Sequence, residues 1–314
     1  MTWSTTVTAT AQDGAGNTGT GSFTVTVVDT TPPMLTVPGN LTLEATSSAG
    51  AVATYNASAH DIVSGTLPVT FSIASGSAFP LGSTTVTASA KDTAGNTATG
   101  SFTVTVVDTT SPVLLLPGNQ TLEATSPAGA TATYTASAHD IVNGDVPVSF
   151  SIASGSTFPL GITTVTAKAN DAAGNTAGGS FTITVLDTTA PAILSLTATP
   201  NALWPPNNRL VSVTLTALVH DVADASPVTR IISVSSNEGA EDHDRDDRHN
   251  APDWVITGPL TVKLRAEHSE SRRIPLIYTI VVESRDAFGN ASTKSVSVSV
   301  RRNNKERDDD QEQE

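Results

Sequence analysis

The chain of 314 residues contains no cysteine, which excludes disulfides, thiolate metal sites and cysteine nucleophiles. Aromatic residues are scarce at 4%, so each core must be small and rich in Val, Ile and Leu. No run of 18 apolar residues occurs, so no transmembrane helix is expected. Bases are few: 16 Lys and Arg stand against 30 Asp and Glu, a formal net charge of −14. A nucleic-acid partner or an anionic membrane surface is therefore not expected. No signal peptide precedes the first strand-like residues, and the chain reads as beginning in mid-domain. Gly-x-Ser-x-Gly, a phosphate loop, His-Glu-x-x-His and a dinucleotide fingerprint are all missing, so no enzyme is expected.

What is present is repetition. Asp29-Thr30-Thr31-Pro32-Pro33 recurs as Asp108-Thr109-Thr110-Ser111-Pro112 and as Asp187-Thr188-Thr189-Ala190-Pro191, at two equal steps along the chain. His60-Asp61 returns as His139-Asp140, and Asp13–Asn17, Asp92–Asn96 and Asp171–Asn175 all read Asp-x-x-Gly-Asn at that same step. The two full copies are about three-quarters identical without a gap, as in duplicated structural units. Met1 falls opposite Pro80, so residues 1–28 supply only the last third of a copy, a single hairpin that would be marginal alone.

Within a copy the pattern has period 2. Thr84–Ala90 and Phe102–Val106 alternate polar and apolar residues, and Asp92–Asn96 between them has the turn chemistry of a hairpin. Met34–Val37, Leu41–Ala45, Val52–Ala59 and Val69–Ala74 also read as strands. Seven or so short strands per copy, without helical periodicity, predict an all-β fold: tandem immunoglobulin-like β-sandwich domains in a linear array.

After Asp187 the lockstep ends but the landmarks persist. Val219-His220-Asp221 and Asp286–Asn290 match the earlier pairs, yet the stretch from Asp221 to Asp286 is about twice that from Asp140 to Asp171. An insertion of about 34 residues before the penultimate strand accounts for the difference. It holds the acidic run Glu241–His249 and strand-like Leu260–Arg265 and Ile277–Val282. The expected domains are a truncated module at 1–28, full modules at 29–107 and 108–186, a divergent module at 187–301 and a charged, disordered tail at 302–314.

Gly76, Phe79, Pro80, Gly82, Val86, Ala90, Asp92, Gly95 and Asn96, followed by Phe102–Val106, resemble the hyalin repeat (HYR) domain. Gly155 through Val185 match the same spacing, and residues 1–27 match its end. The resemblance implies an immunoglobulin-like fold and an extracellular adhesive role. The family's usual cysteine pair falls here on Val37 and Gly100, and on Leu116 and Gly179, so its disulfide is absent. Residues 195–301 resemble a C-terminal module that follows hyalin repeats in bacterial surface proteins, carried by Trp204–Asn207, Asp253–Gly258 and Leu264–Glu267.

Such a sandwich places the start of its first strand, one interior loop and its last hairpin at one pole. That would gather Asp29, Asp61, Asp92 and Asn96, then Asp108, Asp140, Asp171 and Asn175, then Asp187, Asp221, Asp286 and Asn290. Calcium, which takes six to eight oxygen ligands, is the candidate cofactor. The competing reading is that Asp and Asn serve turn geometry alone. The His-Asp pairs are expected to be structural, because neighbouring strand residues point to opposite faces. Asp242, Asp244 and Asp246 alternate as in a calcium loop, but the motif's Gly and closing Glu are missing, so a solvated loop is expected. Trp204 and Trp254 are expected in the core.

The function expected is a non-catalytic spacer or adhesin stalk at a cell surface or outside the cell. Stiff Pro-containing linkers would join its modules. A surface or matrix protein, or a glycan, is the expected partner. Two alternatives stand beside it. The C-terminal module binds a glycan or protein, or the chain is the accessory tail of a secreted enzyme whose catalytic domain lies upstream.

Overall fold

A computed structural model describes residues 2–237, 252–267 and 275–301. Every regular element among them is a β-strand, as the period-2 patterns predict. Glu241–His249 and the tail at 302–314 lie outside the described residues. The chain divides into two compact units.

The first unit comprises Met1–Pro117, Thr135–Ser151 and Thr166–Ser180. It opens with the expected hairpin, Thr2–Gln12 against Thr18–Val28, in unbroken antiparallel register. Residues 29–107 then form a four-stranded sheet in the order Leu41–Glu44, Thr97–Val107, Gly82–Lys91, Thr70–Phe71. Met34–Thr36, Ser58–Asp61 and Gly65–Leu67 make a three-stranded sheet, and Ala51–Val52 pairs with Ala78–Phe79. The alternation explains the core directly: Val86, Ala88, Val104 and Val106 turn inward and are at most 1% exposed. Phe79 and Phe102 join them, and Tyr55 packs edge-to-face on both rings.

The expected strand at Val52–Ala59 is broken, with only Ala51–Val52 and Ser58–Asp61 extended in sheets. Between them the backbone bonds elsewhere: Gly76 N donates to Ala53 O at 2.8 Å, and Ala53 N to Ser77 O at 3.2 Å. Tyr55 Oη donates to Ile73 O at 2.6 Å. The chain thus changes pairing partner midway, while its alternation of apolar residues continues. The run at Val69–Ala74 likewise shortens to Thr70–Phe71.

The places where the resembled family has cysteines do meet. A Cβ built on Gly100 would lie 2.9 Å from Val37 Cγ1, and one on Gly179 would lie 2.6 Å from Leu116 Cδ1. A branched side chain just past the end of a short strand fills the space over a glycine within a long one. In the same unit Val113–Leu115, Ser137–Asp140 and Gly144–Val146 repeat the three-stranded arrangement.

The second unit comprises Gly118–Tyr134, Ile152–Val165 and Phe181–Glu314. Gln120–Glu123 runs parallel to Ile183–Leu186, and Tyr134 packs edge-to-face on Phe158 and Phe181. Residues 192–300 build two four-stranded sheets. One has the order Ala192–Thr199, Leu210–His220, Thr261–Arg265, Trp254–Gly258; the other has Ala202–Leu203, Ala291–Val300, Ile277–Arg285, Val228–Ser236. Their inner faces meet in a core of Val213, Leu264, Tyr278, Ile280, Val282 and Val298, all fully buried. Trp254 packs on this core, edge-to-face with Tyr278. Trp204 does not: it stands 65% exposed, contrary to expectation, because the short strand Ala202–Leu203 ends just before it and the chain leaves the sheet there.

Candidate metal centres

Three groups of aspartates come together: Asp29, Asp61 and Asp92; Asp108, Asp140 and Asp171; Asp187, Asp221 and Asp286. In each, one carboxylate oxygen per residue lies within 4.8 Å of the others. The first two groups belong to the first unit, the third to the second.

Each aspartate is positioned by the element that carries it. Asp61 ends a strand, and its Oδ1 accepts from Val63 N at 2.9 Å and Ser64 N at 2.7 Å. Asp140 does the same with Val142 and Asn143, and Asp221 with Ala223 and Asp224. Asp29, Asp108 and Asp187 lead the Thr-Thr linkers, and the Oδ1 of each accepts from the amide two residues on. Asp92 opens the last hairpin, where Gly95 takes φ +100°. Its Oδ1 accepts from Asn96 N and its Oδ2 from Asn96 Nδ2, both at 2.8 Å. Asp171 with Asn175 and Asp286 with Asn290 repeat this geometry.

The asparagines point their amide nitrogens inward. Asn96 Nδ2 also reaches the backbone oxygen of Asp29 at 3.2 Å, and Asn175 and Asn290 reach Asp108 O and Asp187 O at 3.1 and 3.0 Å. They tie the hairpin to the linker, and so fix two aspartates of each group relative to one another.

Turn chemistry accounts for one oxygen of each linker and loop aspartate. It does not account for the other. The Oδ2 atoms of Asp29, Asp61, Asp108, Asp140, Asp187 and Asp221 are buried with no hydrogen-bond partner among the described residues. Asp61 and Asp140 are 2% and 1% exposed. A buried carboxylate oxygen without a partner is costly, and two such oxygens beside a third carboxylate repel as well. The donor set is all oxygen, which is the chemistry of a hard divalent cation such as calcium.

The charges register this crowding. Burial pushes the Asp108 carboxyl above its ordinary range against the Thr110 amide, and the charges of Asp140, Asp171 and Glu44 add to the rise. Burial likewise raises Asp187, with Asp221, Asp286 and Glu123 contributing. At Asp92, burial also pushes upward, but the hydrogen bonds from Asn96, Gly95 and Ala94 outweigh it and hold the carboxyl low. Asp171 and Asp286 are held low in the same way.

Glu44 and Glu123 were not singled out by sequence. Glu44 accepts from Thr109 N at 2.7 Å, from Thr109 Oγ1 at 2.8 Å and from Thr110 Oγ1 at 2.9 Å. Glu123 makes the same three bonds to Thr188 and Thr189. The Thr109 and Thr188 amides, helped by the hydroxyls, hold these carboxyls low. The available signal was that the two glutamates occupy equivalent places in successive repeats, within a stretch otherwise poor in charge.

The histidines stay outside. His60, His139 and His220 are exposed while the neighbouring aspartates turn in, as strand alternation requires. His139 Nδ1 instead lies 2.8 Å from Asp145 Oδ1 on the surface.

Comparison with known proteins adds the following. The profile of the HYR domain matches residues 28–106 and 107–185. Hyalin of Lytechinus variegatus is 36% identical over 207 residues, covering 62% of this chain and 39% of that protein. Hyalin of Strongylocentrotus purpuratus is 38% identical over 208 residues, covering 60% of this chain and 17% of that protein. The chain thus spans well under half the length of either relative. Among solved structures, protocadherin gamma B2 extracellular cadherin domains 1–5 align over 96% of this chain and 66% of that one. The identity there is 16% and the TM-score 0.38.

Proposed function

The chain belongs to the HYR-domain family, and we propose that it is a non-catalytic structural or adhesive segment of a cell-surface or secreted protein, with calcium held in its aspartate triads. The observation that carries the calcium reading is the set of six buried Oδ2 atoms, without a hydrogen-bond partner among the described residues, at three sites of one design. Asp29, Asp61 and Asp92 would hold one ion, Asp108, Asp140 and Asp171 a second, and Asp187, Asp221 and Asp286 a third. Asn96, Asn175 and Asn290 would hold the hairpin aspartates in place. A bound cation supplies the positive charge that makes three converging carboxylates stable and locks linker, loop and hairpin together.

Locked junctions suit a spacer. The extracellular, adhesive setting rests on the resemblance to the hyalins. The reading of 187–301 as a related immunoglobulin-like module of a bacterial surface protein rests on its own sequence motifs. Among the described residues no helix is long and apolar enough to cross a membrane. Small-angle scattering in calcium and in chelator tests the spacer reading. The expected result is a larger and better-defined maximum dimension with calcium. Identical scattering in both would overturn it.

A second reading has one observation in its favour. Trp204, 65% exposed and followed by two prolines, is the kind of rigid aromatic that sugars and peptides stack on. Glycan-array binding lost in Trp204→Ala and kept in Trp3→Ala would support a binding module in residues 187–301. No glycan binding by the unsubstituted chain would remove it.

A further inference from the structure

Asp108, Asp140 and Asp171 all belong to the repeat at 108–186, yet two contacts beside this triad reach back into the repeat at 29–107. The first contact is apolar. Val142 follows Asp140 by two residues, is 7% exposed and belongs to a hydrophobic cluster built around Phe79 and Phe102. Every other member of that cluster lies between residues 37 and 106. The second contact is polar: Glu44 takes three hydrogen bonds from Thr109 and Thr110, the threonines that follow Asp108. All of these residues fall within the first compact unit.

The core of residues 29–107 is thus completed by a side chain that the next repeat supplies. Val142 sits in the turn between Ser137–Asp140 and Gly144–Val146. Its neighbours Ile141 and Asn143 are exposed, so the turn inserts one apolar side chain and keeps the rest in water. Asp140 holds that turn: its Oδ1 accepts from Val142 N at 2.9 Å and from Asn143 N at 2.8 Å. Its Oδ2 is one of the buried atoms without a hydrogen-bond partner among the described residues. One carboxylate therefore seats the plug with one oxygen and leaves the other for the triad. At the next junction Ala223 takes the same place after Asp221, bonds in the same way and is 6% exposed, a smaller side chain in a turn of the same design.

We propose that the repeat at 29–107 ends in a socket for the loop of the repeat that follows, and that calcium at Asp108, Asp140 and Asp171 closes it. The ion then stabilises a repeat that contributes none of the three carboxylates. This rests on the calcium reading above. Three converging carboxylates repel, which works to open the loop and withdraw Val142; a cation among them keeps the loop seated. Stability passes backward along the array, from each site into the repeat before it, as in a row of units coupled to their nearest neighbours.

Hydrogen exchange of the full chain reads each repeat separately and tests this. Asp171 lies outside residues 29–107, but with calcium at saturation Asp171→Ala should speed exchange in Gly82–Lys91 and Thr97–Val107 about tenfold or more. Val142→Ala should speed the same amides about tenfold. In the Val142→Ala background, Asp171→Ala should lose most of its effect on them while still speeding exchange in Gly161–Asn170 and Thr176–Leu186. Ile141→Ala, at the exposed neighbour, should change neither set. An effect of Asp171→Ala confined to residues 108–186, or one undiminished by Val142→Ala, would overturn the inference and leave the calcium reading standing. Exchange indifferent to calcium throughout would sink the calcium reading and the ion's part here. The socket itself would then stand or fall on whether Val142→Ala loosens residues 82–107.

Discussion

Asn175 Nδ2 lies 3.1 Å from the backbone oxygen of Asp108 and 2.7 Å from Asp171 Oδ2, so one side-chain amide joins two members of a triad that stand far apart in the sequence. Asn175→Ala removes both bonds and lets the hairpin move away from the linker. The expected cost is about 1–2 kcal/mol of stability, with weaker calcium binding at that triad alone. Thermal unfolding and calcium titration of the variant check this. Unchanged melting together with unchanged affinity would show that the amide positions nothing.

Gly50 and Gly129 test the packing of the same framework. Both take a left-handed φ, +98° and +108°. A Cβ there would overlap the carbonyl oxygens of Phe79 and Phe158 respectively. Gly50→Ala should therefore cost at least about 2 kcal/mol, because backbone rather than a flexible side chain must yield. Ala substitution of Gly76, which also has φ > 0 but has no atom within 4 Å of the added Cβ, should cost less. Equal melting temperatures for the two variants would contradict the close approach.

The missing disulfide supplies another test. Val37 and Gly100 face one another closely enough that a Cβ on Gly100 would touch Val37. The double variant Val37→Cys, Gly100→Cys should close a long loop and stabilise the oxidised protein by about 3–4 kcal/mol relative to the reduced form. Melting curves with and without reductant measure it. Failure of the cysteines to oxidise, or no difference between the curves, would show that the strands do not meet there.

Much of this was legible because repetition and alternation are local signals. Thr84–Ala90 and Phe102–Val106 declare two strands by their period, and Asp92–Asn96 declares the turn between them. The pole at which Asp29, Asp61 and Asp92 meet follows from the order of strands in a sandwich. Other features were beyond reach for physical reasons. The alternation of Val52–Ala59 continues through a change of pairing partner, which leaves no mark on period. Glu44 grips Thr109 from the far side of its repeat, a contact no local pattern encodes. Trp204 is apolar enough for a core, and only the early end of its strand at Leu203 leaves it outside. The division of labour within each aspartate was also invisible. A turn explains Oδ1, and only the fold shows that Oδ2 of Asp61 and Asp140 is buried without a partner among the described residues.

The central claim is that the triads hold calcium, and calorimetric titration of metal-free protein with calcium tests it most directly. The account predicts saturable binding of one ion per triad, reduced by one ion in Asp92→Ala and by one in Asp171→Ala, with a rise in melting temperature on saturation. No heat of binding and no change in melting temperature would contradict it.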